Sequence, residues 1–521
     1  MFCDFQNIYF FLFLILDDPE AKRSKEDDEI PTKSKTASEL MQASSSQRKL
    51  DSFVVKTTQK EKIDLDRHVA RFVFATNSPF RIVENSYFKK MMQAARPGYN
   101  PPNRQDIGGK LLDKEFSELQ GKIANDLQKK NVCMALDGWS NIRNDPVIGV
   151  CVTDMEDGRT FLIDTIDTKE RSHTAEYLLE ISQNSIQKCQ EKYKCSVTSL
   201  VTDNAANVTS MRRQLAQQGR GDVITYGCGA HILNLFAHDL EHGSEIKDKV
   251  KRVAKYFRNH HFPAGLYKNA GGKSLVLPSD VRWCSLCDCL EAYLDNWHIL
   301  AKICSDHHAA IEAAVRRIVQ DDHFKQSVSV YAAKLKKVSL ALDKVQADMC
   351  GLGEAFSIFQ KLSSEPDFSR EELRKLKERI NLAITPPHTL AYLLHPKFHA
   401  EKMSEEWEEM AMTFASDEHP EVLPDLIKYK AKQFPFKEYL FREQVVNSTS
   451  PLAWWKALEG NLHPSTVKLA NQLHSAAASS AAIERLFSQF GLVHTEVRNR
   501  LGVDKAGKLV ALLKYFNKDV K

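Results

Sequence analysis

The chain has 521 residues, too many for one hydrophobic core, so roughly two to four domains are expected. At 43% hydrophobic and 27% charged it has the composition of an ordinary folded protein, and a net charge of +4 is too small to imply a nucleic-acid partner by itself. Its 11 cysteines are odd in number and irregularly placed, which points to reduced thiols in an intracellular protein rather than a disulfide framework.

Taken in chain order, residues 8–16 are strongly apolar but far short of the ~20 residues a membrane span needs. No basic residue precedes them and Asp17-Asp18 follows, so neither a signal peptide nor a membrane anchor is expected, and the run reads as an artefactual leader. Residues 18–62 are rich in Lys, Glu, Asp, Ser, Thr and Gln, the composition of a disordered tail. Within it, Lys22-Arg23-Ser24-Lys25 reads either as a nuclear-import patch or as a solvated charge cluster. The peptide from Gln47 to Val54 resembles the segment that docks on DNA sliding clamps, with Val54 where a second aromatic is usual; a chance match is the competing reading. Residues 63–130 read as a helical region, with apolar periodicity at Val69, Phe72, Val73 and Phe74, a breaker cluster over 96–102, and a helix over 113–129.

A compact α/β run follows, taken as 131–242. Segments 132–136, 147–153 and 159–165 read as three strands joined by short turns, one of them containing Asp157-Gly158. A helix over 174–192, a strand ending at Asp203, a helix over 205–218, a strand over 223–227 and a helix starting near Cys228 come next. This order predicts a mixed sheet whose first and fourth strands are neighbours, so that Asp137 and Asp203 face each other at one sheet edge. From 243 to 450 helical runs separated by Pro263, Gly271-Gly272, Pro386-Pro387 and Pro420 predict an all-helical insertion, and 451–521 ends in helices over 465–473, 479–490 and 503–516. The expected fold class is therefore α/β plus all-α.

Both aspartates end short apolar runs, where open sheets place their chemistry. Two carboxylates on neighbouring strands suit Mg²⁺, a hard ion that takes oxygen ligands, and a pair of such ions serves phosphoryl transfer. For Asp203 the competing reading is a helix cap. A third carboxylate is offered by Glu484 in the segment SSAAIERLFSQFG, beside an apolar stripe of Ile483, Leu486, Phe487 and Phe490. There the competing reading is a solvated or Arg-paired surface residue.

The chain resembles transposases, or proteins derived from them, of the hAT superfamily (hobo/Activator/Tam3), with a DUF659-like core and a hAT C-terminal dimerisation region. The matching pieces are Leu136-Asp137-Gly138-Trp139-Ser140, Val201-Thr202-Asp203-Asn204-Ala205-Ala206-Asn207, Cys228-Gly229-Ala230-His231 with Asn234-Leu235, Arg282-Trp283, and the terminal segment around Glu484 followed by Arg498-Asn499-Arg500-Leu501. The resemblance implies an RNase-H-like catalytic core interrupted by a helical insertion. It also implies Asp137, Asp203 and Glu484 as ligands of catalytic Mg²⁺ or Mn²⁺, DNA as substrate, self-association through the C-terminal helices, and a nuclear location. Arg282 and Trp283 then correspond to a site where an extruded base stacks, worth ~1–3 kcal/mol; a core tryptophan is the alternative.

Cys228 and His231 are read as packing residues at a helix start, since two ligands do not make a zinc site. Lys428, Lys430 and Lys432, interleaved with aromatics, are candidate phosphate contacts or an ordinary solvated helix end. Two departures from the family pattern stand out. No paired Cys and His of a BED-type finger precede Leu65, and Ile483 replaces the usual Ser before the last acid. The expectation is a transposase or its relic, with a domesticated, non-catalytic nuclear protein as the alternative.

Overall fold

The computed structural model describes residues 57–141, 143–219, 222–241, 245–279, 285–399, 401–495, 498 and 501–517. The apolar run 8–16, the basic patch 22–25, the clamp-like peptide 47–54, and Arg282 with Trp283 lie outside the described residues.

Five strands carry the sheet: β1 (Asn131–Ser140), β2 (Pro146–Asp154), β3 (Arg159–Asp167), β4 (Ser196–Thr202) and β5 (Ile224–Gly227). They lie in the order β3-β2-β1-β4-β5, with β1, β2 and β3 antiparallel and β4 and β5 parallel to β1. First and fourth strands are therefore neighbours, as the order of elements predicts. Val132–Leu136 are buried without alternation, which requires cover on both faces of the sheet.

Two details differ from expectation. β1 does not stop at Asp137 but runs three residues further, because β2 continues to pair with it as far as Ser140 opposite Pro146. In addition, Asp203 lies just past the last residue of β4, so β1 and β4 are neighbouring interior strands whose carboxyl ends carry Asp137 and Asp203.

The helices, in chain order, are α1 (Gln59–Ala75), α2 (Ser86–Ala95), α3 (Leu112–Leu127), α4 (Ala175–Lys192), α5 (Ala206–Gly219), α6 (Gly229–Glu241), α7 (Ile246–Asn259), α8 (His261–Asn269), α9 (Ser285–Asp306), α10 (Ala313–Val319), α11 (Asp322–Val345), α12 (Leu352–Ser363), α13 (Arg370–Ala383), α14 (Pro386–Leu393), α15 (Glu405–Glu418), α16 (Leu423–Lys430), α17 (Pro464–His474), α18 (Ala481–Val493) and α19 (Val503–Phe516), with shorter turns between some of them. Among the described residues every named element after β5 is helical. α4 starts where Thr174 Oγ1 accepts from the amide of Tyr177 at 3.3 Å.

The described chain divides into two compact units. The described part of the smaller one is residues 57–63 and 86–100, in which Glu61 accepts from the Thr58 amide at 2.8 Å and pairs with Arg96 at 2.8 Å. The larger holds 64–85 and everything from Pro101 onward, sheet and helices together.

Within the larger unit the two C-terminal helices cover the first three strands. α18 packs on β1 and β2, and α19 on β3 and α3. The close approach of α18 depends on Gly149 of β2. A Cβ there would lie 3.0 Å from Phe487, 3.2 Å from Ile483 and 3.2 Å from Trp139. Trp139 in turn meets Phe487 and Phe490 with ring centroids 4.3 and 4.7 Å apart. Ile483, Leu486, Phe490 and Val493 are buried, each contributing roughly 1.5–3 kcal/mol over an exposed position.

Two glycines therefore respond oppositely to the same change. Gly149→Ala overpacks the α18 contact and lowers unfolding stability by roughly 1–3 kcal/mol. Gly121→Ala, in the interior of α3 with nothing within 4 Å of the new methyl, raises it by roughly 0.5–1 kcal/mol. Urea unfolding of the two variants, with equal slopes, measures both shifts.

Candidate active site

Asp137 pairs across β1–β2 with Gly149, and the parallel register aligns Ala135 with Val201. Continued two residues, that register sets Asp137 level with Asp203, which follows the last residue of β4. Strand side chains alternate, so Asp137 shares its face with Trp139 and hence with α18. Asp137 Oδ1 accepts from the Gly138 amide at 2.7 Å, and Asp203 Oδ1 from the Ala205 amide at 3.2 Å. The Asp203 carboxylate thus caps one amide just ahead of α5.

The turn that presents Asp203 is held by Arg212, a buried guanidinium on α5. It donates to Thr202 Oγ1 at 2.5 Å, to the Asp203 carbonyl, to Asn204 Oδ1 at 3.4 Å and to Thr209 Oγ1 at 3.2 Å. Burial lowers its pKa, opposed by the charge of Asp203. Asn204 fits because residue 227 is glycine: a Cβ there would lie 1.7 Å from Asn204 Oδ1. Opposite Asp137, the ring of His173 stands 3.6 Å from where a Gly138 Cβ would be, fixed by Thr168 Oγ1 at 3.0 Å and by Asn207, which donates to its carbonyl at 2.8 Å.

Glu484 lies in the first turn of α18. The segment before it is tied to the helical region and to β5 at several points. The Ala478 amide donates to the Cys350 carbonyl at 2.8 Å, and Tyr226 donates to the Ala477 carbonyl at 2.7 Å. Ser479 Oγ donates to the Val345 carbonyl at 3.1 Å, and Arg485 donates to the Gln346 carbonyl at 3.1 Å and pairs with Asp348. The end of α11 therefore fixes where the third acid sits.

Asp137 and Glu484, both half-buried, sense the charge of Asp203, and Glu484 senses that of Asp137. Desolvation raises Asp137 to about 7 against the Gly138 amide, which lowers it, and the charge of Asp203 adds to the rise. Desolvation likewise raises Glu484 to about 8, and the charge of Asp137 comes next; Arg485 and Ser480 oppose, and Asp203 again adds. All-oxygen carboxylate donors suit Mg²⁺ or Mn²⁺, and unrelieved like charge at one place is what such an ion neutralises. The donor chemistry fits a divalent cation. Among the described residues, though, no three His, Cys, Asp or Glu side chains stand close enough to hold a metal between them. Asp137 and Asp203 each accept from a backbone amide, and the three acids form no finished chelate.

Cys228 is buried, and its thiol accepts from the amides of His231 and Ser480, each at 3.4 Å. It joins the start of α6 to the start of α18, a packing role. His231 is half-buried; desolvation lowers its pKa, the charge of Asp203 opposes this, and Arg379 adds to it. Lys428, Lys430 and Lys432 lie apart from these acids in their own ion pairs, with Asp425 at 3.3 Å, with Glu408, and with Glu438 at 4.0 Å. Of the neighbouring aromatics, Tyr429 and Phe436 are fully buried against Trp454 and Trp455, whereas Phe434 is exposed. All nine described cysteines are free and buried, including Cys287 and Cys289.

Sequence reasoning missed Arg212, His173 and Gly149. A lone Arg inside a helical run and a lone Gly inside an apolar strand carry no chemical pattern; only the contacts reveal them.

Because Asp137 and Glu484 hold protons in the folded state that the unfolded chain releases, their stabilisation is full below the ordinary carboxylate range and is lost as pH rises through about 7 to 8. In EDTA, the melting temperature of Glu484→Gln therefore matches wild type near pH 4 and exceeds it by roughly 2–4 °C at pH 8.5. Thermal unfolding followed by circular dichroism across that range reads the effect.

Two family models match the chain. One, described as a domain of unknown function (DUF659), covers residues 102–256; the other, described as the hAT family C-terminal dimerisation region, covers residues 433–514. No curated protein matches the chain significantly. The first match spans β1 to β5 with Asp137 and Asp203, and the second spans α18 with Glu484. Both regions present in this order support a hAT-family transposase or a protein derived from one.

Proposed function

We propose that the protein cleaves and transfers DNA strands in the manner of a transposase, from an RNase-H-like core in which Asp137, Asp203 and Glu484 serve a divalent cation, Mg²⁺ or Mn²⁺. The observation that carries this reading is that half-buried carboxylates from β1, from the end of β4 and from α18 lie within electrostatic reach, the charge of Asp203 acting on Asp137 and Glu484 and that of Asp137 on Glu484. When bound, the cation supplies Lewis-acid activation of the attacking oxygen and stabilises the leaving one. The chain's own residues provide the setting. The Gly138 and Ala205 amides orient the two aspartates, and Arg212 fixes the turn that carries the second. Burial lowers the pKa of His231, which disfavours a competing positive charge beside Asp203. The C-terminal dimerisation region supports a self-associating protein. Action on chromosomal DNA implies a nuclear location.

A second reading is a domesticated protein that retains dimerisation without cutting DNA. It is favoured by the three acids not forming a ready chelate. Nicking of a labelled duplex in Mn²⁺ or Mg²⁺ separates the two. The enzyme reading expects metal-dependent cleavage that Asp203→Ala reduces by more than the ~10–100-fold typical of losing an outer-shell partner. Absence of cleavage by the wild-type dimer with either ion leaves the second reading.

A further inference from the structure

Helix α7 is the most one-sidedly charged element among the described residues. Its sequence, IKDKVKRVAKYFRN, carries six cations and one acid. Val250, Val253, Ala254 and Phe257 are buried, and they hold it against α9, α10 and α11. Lys247, Lys251, Lys255 and Arg258 follow at spacings of four, four and three, so they share one face. That face rises about 16 Å from first to last, with a cation every ~6 Å.

Beside this face lies an open groove of about 480 Å³ lined by Asp248, Lys251, Arg252, Lys255, Tyr256, Asn259, His260 and Glu312. Its charges are unequally spent. Arg252 is neutralised by Glu312. Lys251 and Lys255 make no ion pair among the described residues, and Asp248 is the one remaining acid of the lining. The floor is rigid. Tyr256 Oη accepts from the Glu312 amide at 3.1 Å, and its ring packs on that of His260 with centroids 4.5 Å apart.

We propose that this groove binds the phosphate backbone of duplex DNA, with Lys251 and Lys255 as its phosphate-contacting cations. The case rests on charge complementarity. A row of cations longer than any single phosphate matches a strand that offers one charge per ~3.4 Å of axis. The contrast with Lys428 and Lys430 is informative: those lysines have acidic partners, whereas Lys251 and Lys255 present their charge outward. Contacts from Lys251 and Lys255 to phosphates add affinity and register without sequence preference. The inference rests on the proposal that the protein acts on DNA, and it adds a surface formed by the helical region, outside the acidic mouth.

The test is equilibrium binding of a labelled 30-base-pair duplex in EDTA over a salt series, so that no cleavage is required. Lys251→Gln/Lys255→Gln is compared with wild type and with Lys375→Gln/Lys377→Gln on α13, which removes the same charge elsewhere. The groove variant is expected to bind roughly tenfold more weakly near 0.1 M salt, and its log–log salt slope to fall by about two, near 0.9 per lost phosphate contact. Melting temperature should be unchanged for both. Equal weakening in the two variants, or affinity within twofold of wild type in the groove variant, overturns the proposal. Failure of the catalytic reading looks different: duplex affinity remains dependent on Lys251 and Lys255, while wild-type protein shows no metal-dependent cleavage.

Discussion

The site depends on one packing contact, the seat of α18 on β1 and β2 where Gly149 has no side chain. Trp139, Phe487 and Phe490 close around that gap, and Ile483 fills the rest. The contact joins segments more than three hundred residues apart, and it brings Glu484 to the strands that carry Asp137 and Asp203. It explains the apolar stripe on α18 without any appeal to chemistry. The catalytic candidate sits one position from the residue that anchors the helix, so its placement is set by hydrophobic packing.

Electrostatics works against that packing. Burial raises the proton affinity of Asp137 and Glu484, and the nearby charge of Asp203 adds to both. A fold that keeps such a cluster spends stability there, and local devices spread the strain. Each aspartate takes an amide, Arg212 gathers the Asp203 turn, and the charge of Arg485 opposes the rise at Glu484. The helical region takes part directly. The end of α11 and the Cys350 turn hold the strand-like segment before α18, and Arg379 on α13 pairs with Asp239 on α6. The inserted helices are thus part of what positions the third acid.

The lysine-rich stretches of the chain divide by partnership. Around Tyr429 the basic and aromatic residues alternate because one helix face enters a core of Phe436, Trp454 and Trp455 while the other meets acids. On α7 the same amphipathic logic leaves Lys251 and Lys255 without an ion pair among the described residues. A basic-aromatic pattern in sequence does not distinguish these cases, since the difference lies in what the neighbouring helices contribute.

Much was legible from sequence by itself. Apolar runs with β-branched residues marked all five strands, and the order of strands and helices implied that first and fourth strands pair. The motif residues Asp137, Asp203 and Glu484, and the final helices, were also visible. Local pattern suffices there because each element's period and caps lie within a few residues. Only the tertiary structure decided the rest: that β1 continues past Asp137 because β2 keeps pairing with it, that Gly149 and Gly227 are spaces for Phe487 and Asn204, that Arg212 braces the Asp203 turn, and which lysines remain unpaired. These are properties of contacts between distant segments, and a contact leaves no period in the sequence of either partner.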